Sequence, residues 1–292
     1  MPFIESADNL KPATIHGYKQ VWNLHLKSHF CTVNLSDYKT HMMSGFLTGL
    51  AKTLRPRTLN SIKWLASAIF AHAVASGHCE TNPIRDAKVL GKTLGHGDPK
   101  SYTLEEMENL ITALVDRVDA QLVMALSFFA GMRKGEIWGL QWSDVEGEFI
   151  HVRRAFSRGI VGPPKSKKSV RSIPIIQPVR GLLALWRGKN PDGVWMFQNT
   201  EGGALNLDLF AREVIRPALR KAKIEWKAFH AGRRGLGTTL RSLTGNSTAG
   251  RDVLGRATTQ ITEGHFEHRL PEDALRGMKL LETKALTNGG TR

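Results

Sequence analysis

The chain has 292 residues, and its 41 Lys and Arg against 26 Asp and Glu leave it with a formal charge of +15. Its hydrophobic content of 41% is enough for packed cores, which excludes disorder as the dominant state, and the length favours two domains. No apolar run approaches the ~18 residues that a membrane span needs, so we expect a cytoplasmic protein without a membrane partner.

The cysteine content and the charge distribution further restrict the class of protein to which this chain can belong. Cys31 and Cys79 are too few for a disulfide framework or a four-ligand zinc site, so we expect no structural metal. We expect no cofactor either. Both the first hundred residues and the remainder carry an excess of Lys and Arg. That distribution indicates a polyanion held by both domains, and nucleic acid is the commonest such partner. The alternative is that the charge serves solubility alone.

Helical periodicity dominates the first hundred residues. Apolar residues recur every three or four positions in two series, Ile15, Tyr18, Trp22 and Leu26, then Ile62, Leu65, Ile69 and Ala73. Gly77 is placed to end the second helix, and Asn82-Pro83 favours a turn after it. The segment 91–100 is rich in Gly and Lys and poor in apolar residues. The pattern predicts a helical domain over 1–90, a linker over 91–100 and a second domain over 101–292.

The second domain begins with a capping box, because Thr103 and Glu106 can each accept from the other's backbone N–H. An apolar helix follows through Phe128. Alternation then predicts strands at Phe149–Val152 and Val170–Ile176, separated by a turn over 163–169. From about residue 179 onward the pattern is helical, including a segment at 251–256 and a last helix at 272–286. The predicted fold class is mainly α with a small β-sheet.

Four stretches of the second domain carry charged residues suited to chemistry on a phosphate. Arg133 lies in a glycine-bounded turn with Glu136 three residues later. The other stretches are a lysine-bearing hairpin with Lys165, the pair His230 and Arg233, and Leu254-Gly255-Arg256 followed by Phe266-Glu267-His268. Each stretch alone is a weak signal, and their order along the chain is what carries information.

In this order the stretches resemble the tyrosine recombinases, also named phage-type integrases, over nearly the whole chain. The resemblance implies a helical core-type DNA-binding domain ahead of an α+β catalytic domain, the two encircling duplex DNA. It also implies a catalytic set of Arg133, Lys165, His230, Arg233, Arg256 and Phe266. Arg256 occupies a position where the family usually has histidine or tryptophan, and Phe266 stands where the family has its nucleophilic tyrosine.

The chemistry explains these residue types. Two guanidiniums, Arg133 and Arg233, can grip the non-bridging oxygens of a phosphate and offset the charge of its pentavalent state. Lys165, or Lys167 because the hairpin register is open, can protonate the leaving 5′-oxygen, while His230 assists. No metal is required. Phenylalanine has no oxygen to attack phosphorus, and His265 or His268 would be displaced from the attacking position.

The sequence therefore predicts a site-specific DNA recombinase or integrase that works through a 3′-phosphotyrosine, here unable to cleave because of Phe266. The alternative is a naturally non-cleaving DNA-binding protein of the same fold, and a type IB topoisomerase is a third reading. The expected partner is double-stranded DNA in the nucleoid, with possible accessory DNA-bending proteins. The last helix, with Leu275, Met278 and Leu281, is expected either to pack on its own domain or to join protomers into a homotetramer on paired sites.

Overall fold

The computed structural model describes residues 10, 12–31, 33–95, 97–157, 159–163, 170–190, 192–255 and 271–289. The chain divides into two compact units, one ending at Asp98 and the other beginning at Pro99. This boundary falls inside the segment 91–100, whose described residues belong to no helix or strand. None of the described helices combines the length and apolar character that a membrane crossing requires.

The first unit is built from helices around one apolar core. They are α1 (Pro12–Val21), α2 (Lys27–Phe30), α3 (Thr40–Leu50) and α4 (Pro56–Ala75), with a π-helical turn at Trp22–Leu26 and a 3-10 turn at Leu35–Asp37. The predicted apolar series of α4 is confirmed, since Ile62 and Leu65 are fully buried. Gly77 ends this helix as predicted, because its φ of 74° is favourable only for glycine.

The second unit holds the remaining helices. They are α5 (Leu104–Ala113), α6 (Val118–Phe128), α7 (Lys134–Trp138), α8 (Gln177–Lys189), α9 (Leu207–Phe210), α10 (Arg216–Lys221), α11 (Phe229–Thr244), α12 (Ser247–Val253) and α13 (Glu272–Gly289). A 3-10 turn at Trp142–Asp144 and a π-helical turn at Ala211–Ile215 complete it. The helix predicted over 251–256 begins at Ser247 and ends at Val253. It ends there because Gly255 adopts a φ of 57° that a helix cannot continue.

Small antiparallel sheets lie beside these helices. Strands β1 (Val145–Glu146), β2 (Phe149–Val152) and β5 (Arg171–Pro174) form one sheet in the order β1-β2-β5, with Ile150 opposite Ile173. Strands β3 (Ala155–Ser157) and β4 (Ile160–Gly162) form a separate hairpin. The two predicted strands are confirmed, whereas the β3–β4 hairpin was not foreseen because its three-residue strands are too short for alternation to register.

The last helix, α13, packs on its own unit. It contacts α8, α11 and α12, with Met278 and Leu281 buried, while Leu275 stays 36% exposed. Its Glu282 also accepts from the backbone N–H of Gln177 at 2.6 Å. Of the two roles expected for this helix, packing within its own domain is the one seen in the structure. The predicted fold class, mainly helical with a small sheet, is confirmed.

Candidate active site

Arg133 lies in a tight turn between α6 and α7. Gly131 reverses the chain with a φ of 57°, and a Cβ at this position would lie 2.6 Å from the Leu254 side chain. The backbone N–H of Arg133 donates to Oε2 of Glu136 at 2.9 Å, and its guanidinium Nη1 donates to Oε1 at 2.6 Å. The turn predicted from the glycine-bounded sequence is therefore held by Glu136, the carboxylate three residues later.

Glu136 is buried and shared by two arginines. Its side chain is 2% exposed, and Arg171 on β5, 6% exposed, donates to it at 2.9 and 3.2 Å. Burial alone would raise the pKa of Glu136, but the charge and hydrogen bonds of Arg171, together with the hydrogen bonds of Arg133, hold it below its ordinary value. Two cations on one anion leave a net positive charge, and Arg133, with 31% of its side chain exposed, is the cation nearer to solvent.

Arg233 is joined to the same turn. Its side chain is 1% exposed, and its terminal nitrogens donate to the backbone carbonyls of Gly131 and Leu254. Arg171 also lies 3.5 Å from the Gly131 carbonyl. The Arg133 turn, strand β5 and helix α11 therefore meet at one carbonyl oxygen. The guanidinium of Arg233 joins two backbone segments, and the predicted contact of Arg233 with a phosphate stays a prediction.

His230 lies in the first turn of α11, three residues before Arg233, and its side chain is exposed. The helix start is fixed by two contacts, since Ser127 donates to the Phe229 carbonyl at 2.6 Å and the Tyr102 N–H donates to the Ala231 carbonyl at 3.2 Å. Ala228 precedes the helix with a φ of 65° and a ψ of 161°, a conformation that costs a non-glycine residue about 1–3 kcal/mol. Backbone strain is thus concentrated beside His230.

The remaining predicted site residues, Lys165, Arg256 and Phe266, lie outside the described residues, as do the alternatives Lys167, His265 and His268. Two described segments border them in sequence. Leu254, whose carbonyl accepts from Arg233, is two positions before Arg256. Arg171, bonded to Glu136, follows the lysine-bearing segment on its C-terminal side.

Arg171 is the site residue that sequence reasoning missed. It lies in the predicted strand Val170–Ile176 and is absent from the predicted catalytic set. The sequence does contain a signal that Arg171 is buried, because strand alternation puts it on the same face as Ile173, which is fully buried. An arginine on an inward-facing strand position requires a buried anion, and Glu136 is that anion.

The tyrosine of the second unit is not placed to act as a nucleophile. Tyr102 is the one in the second unit, and it is 2% exposed. Its hydroxyl donates to the Glu225 carbonyl at 3.2 Å and accepts from the Lys227 N–H at 2.7 Å. Burial raises the pKa of Tyr102 to about 12. A phenol that is buried, bonded and hard to ionise is unsuited to attack a phosphate.

Comparison with known proteins identifies sequence relatives of this chain. No model of a known protein family matches the chain. A "Tyrosine recombinase XerC-like" protein of Caldanaerobacter subterraneus is 21% identical over 93% of the chain and 78% of that protein. The ICEBs1 integrase of Bacillus subtilis and the prophage integrase IntR of Escherichia coli are each 26% identical, over 61% and 53% of the chain. The chain spans 50% and 39% of the length of these two integrases.

Solved structures share the fold. A Tn1549 transposon integrase in complex with transposon right end DNA matches with a TM-score of 0.72 and 18% identity, over 87% of the chain and 89% of that protein. A lambda integrase tetramer bound to a Holliday junction matches with a TM-score of 0.70 and 16% identity, over 91% and 78%. The chain is therefore similar in sequence to tyrosine recombinases and integrases, and it shares the fold of solved integrases.

Proposed function

We propose that this chain is a DNA recombinase or integrase whose second unit holds a scissile phosphate at the Arg133 turn. The observation that supports this most directly is that Arg171, which is bonded to Glu136 of the Arg133 turn, and Arg233 meet at the Gly131 carbonyl. Residues 102 positions apart in sequence are joined there by hydrogen bonds, in a cluster whose cations outnumber its carboxylate. A DNA-binding surface alone does not need this buried framework.

In this proposal each residue has a defined task. Arg133 and Arg233 donate to the phosphate, Arg233 also holds the turn, and the exposed His230 hydrogen-bonds the phosphate or assists proton transfer. Lys165, or Lys167, protonates the 5′-oxygen, and Arg256 adds a further donor. In a cleaving enzyme the phenol gives its proton to a base such as His230 as its oxygen bonds to phosphorus, while the bond to the 5′-oxygen breaks and that oxygen takes a proton. Phe266 has no such oxygen, so the chain binds without cutting.

Restoring the hydroxyl tests the proposal. Cognate duplexes are first selected from a random pool by binding to the chain and are then built as nicked suicide substrates. The Phe266→Tyr variant is expected to form a covalent protein–DNA adduct that survives denaturing electrophoresis. Arg133→Ala added to Phe266→Tyr serves as the matched control and is expected to remove the adduct, since the phosphate then loses a guanidinium donor.

A second candidate function is supported by Phe266 itself. A naturally non-cleaving DNA-binding protein of the same fold would also lack the hydroxyl. In that case Phe266→Tyr binds its selected duplex as tightly as the parent chain and forms no adduct. Tight binding without any adduct would therefore reject the recombinase proposal in favour of the binding protein.

The first unit and the assembly belong to the same proposal. We propose that the first unit contacts duplex DNA through the start of α4, where Arg57 and Asn60 line a surface cavity beside Trp64, which is 69% exposed. Lys63, three residues after Asn60, donates to the Ala87 carbonyl at 2.6 Å. On paired sites we propose a homotetramer, with accessory DNA-bending proteins as additional partners. Mass photometry of the chain on paired duplexes measures that stoichiometry.

A further inference from the structure

A second cluster of arginines lies apart from the Arg133 turn. It lines a groove of about 470 Å³ between α11, α12 and the first residues of the second unit. Arg234 and Arg241 contribute from α11 and Arg251 from α12, with Ser101 and Thr238 adding hydroxyl groups. Arg234 and Arg241 are seven residues apart, which is two helical turns, so they face the same side of α11.

The groove is strongly positive. Among the residues that the structure describes, no carboxylate lines the groove and none forms an ion pair with Arg234, Arg241 or Arg251. Arg234 is oriented by its Nε, which donates to the Lys100 carbonyl at 2.7 Å. Three guanidiniums around one concavity repel each other unless an anion lies between them.

Arg251 gives an independent indication of a ligand. Its Nε is buried and has no hydrogen-bond acceptor among the described residues. Buried donors of charged groups are almost always satisfied, because leaving one without an acceptor sacrifices its hydration. An anion in the groove would supply the acceptor and would offset the charge of the neighbouring arginines.

We propose that this groove binds a backbone phosphodiester of duplex DNA. Guanidiniums bind phosphate oxygens in pairs, and hydroxyl groups such as that of Thr238 are common donors to DNA backbones. The inference rests on the proposed function and adds a phosphate contact other than the scissile one. The groove adjoins the candidate site, since Leu254 lines it and its carbonyl accepts from Arg233. A phosphate here would help to fix the strand that enters the Arg133 turn.

Salt dependence of binding tests the groove. The affinity of Arg241→Gln and Arg251→Gln for a fluorescent 20-base-pair duplex of random sequence is measured over a series of salt concentrations. Each lost phosphate contact is expected to reduce the slope of log affinity against log salt by about 0.9. Arg212→Gln is the matched control, because Arg212 is an exposed arginine paired with Glu213 away from the groove. Unchanged slopes for both groove variants would overturn the proposal.

Nuclear magnetic resonance of the arginine side chains identifies the ligand without any variant. The Nε–H signal of Arg251 is expected to shift when the duplex is added, and to shift much less with inorganic phosphate at the same total phosphate concentration. A shift with inorganic phosphate alone would assign the groove to a small free anion, and no shift with either would leave it without an anion; both results reject the proposal. Because random duplex is used, the outcome is independent of whether Phe266→Tyr cleaves DNA.

Discussion

Glu136 is the residue on which the candidate site depends most, because it is the buried anion between Arg133 and Arg171. Removing one partner of such a cluster leaves the others buried and uncompensated, which typically costs about 3–5 kcal/mol. We therefore expect Glu136→Gln to lower the free energy of unfolding of the second unit by an amount of that order at pH 7, measured by urea denaturation. A cost below about 1 kcal/mol would show that the cluster is not held by this carboxylate.

A double variant separates the effect of the unpaired Arg171 charge on stability from the effect of altered packing. Arg171→Met removes the buried cation that Glu136→Gln leaves unpaired, and a well-packed apolar side chain often replaces a buried ion pair without loss. The double variant is expected to be more stable than Glu136→Gln alone, which a double-mutant cycle measures directly. Equal stability of the two would mean that Arg171 and Glu136 do not interact.

The pH dependence of stability follows from the same residue. The pKa of Glu136 is lower in the folded chain than in the unfolded chain, where it is about 4.3. The ionised Glu136 carboxylate therefore adds its full contribution to the free energy of unfolding above the pKa of the unfolded chain. That contribution is lost as the pH falls from there through the pKa of the folded chain. Urea unfolding between pH 5 and pH 3 should show a shallower decline for Glu136→Gln than for the parent chain. Parallel declines would contradict the lowered pKa.

At the scale of elements, the start of α5 depends on its predicted capping box. The Thr103 hydroxyl accepts from the Glu106 N–H at 3.1 Å, and the Glu106 carboxylate accepts from the Thr103 N–H at 2.8 Å. Thr103→Ala is expected to cost about 1 kcal/mol of unfolding free energy, because a helix N–H loses its acceptor. Thr112→Ala, an exposed change in the same helix, should stay within about 0.5 kcal/mol. Equal effects of the two changes would argue against the cap.

Two glycines in different helices should respond in opposite directions to alanine. A Cβ on Gly235 in α11 would lie 2.2 Å from the Tyr102 carbonyl oxygen, whereas one on Gly181 in α8 would meet nothing within 4 Å. Gly235→Ala is expected to destabilise by about 1–3 kcal/mol through overpacking. Gly181→Ala should stabilise by about 0.5–1 kcal/mol, because alanine loses less backbone entropy in a helix. Thermal denaturation of both variants measures the contrast, and a tolerated Gly235→Ala would refute the close approach of α11 to Tyr102.

Local features of the helices could be predicted from the sequence, whereas contacts between distant segments could not. The capping box of α5 and the end of α4 at Gly77 were predictable, because their signals are side-chain and backbone preferences within a few residues. The backbone contacts of Arg233 were not, because its acceptors are the carbonyls of Gly131, 102 positions away, and Leu254, 21 positions away. Sequence order indicated which residues belong together, whereas which atoms they contact is decided by packing between distant segments.

At the scale of the whole molecule, the two units have separate apolar cores. Phe70 belongs to a cluster made only of first-unit residues, and Phe128 to one made only of second-unit residues. A unit whose core is complete needs no partner to bury its apolar side chains, which is the usual condition for independent folding. The segment 91–95 between them is exposed and belongs to no helix or strand.

Cutting the chain in this segment tests the independence of the cores. A specific protease site placed after Lys92 should yield two fragments that each keep their helical circular dichroism and unfold cooperatively, because no core residue is lost by either. The same site placed at Gly147, between β1 and β2, is the control and should weaken cooperativity, since it divides residues of one core. If either fragment from the Lys92 cut aggregates or melts without a transition, its core requires the other unit, and the division at Asp98 does not describe two folding domains.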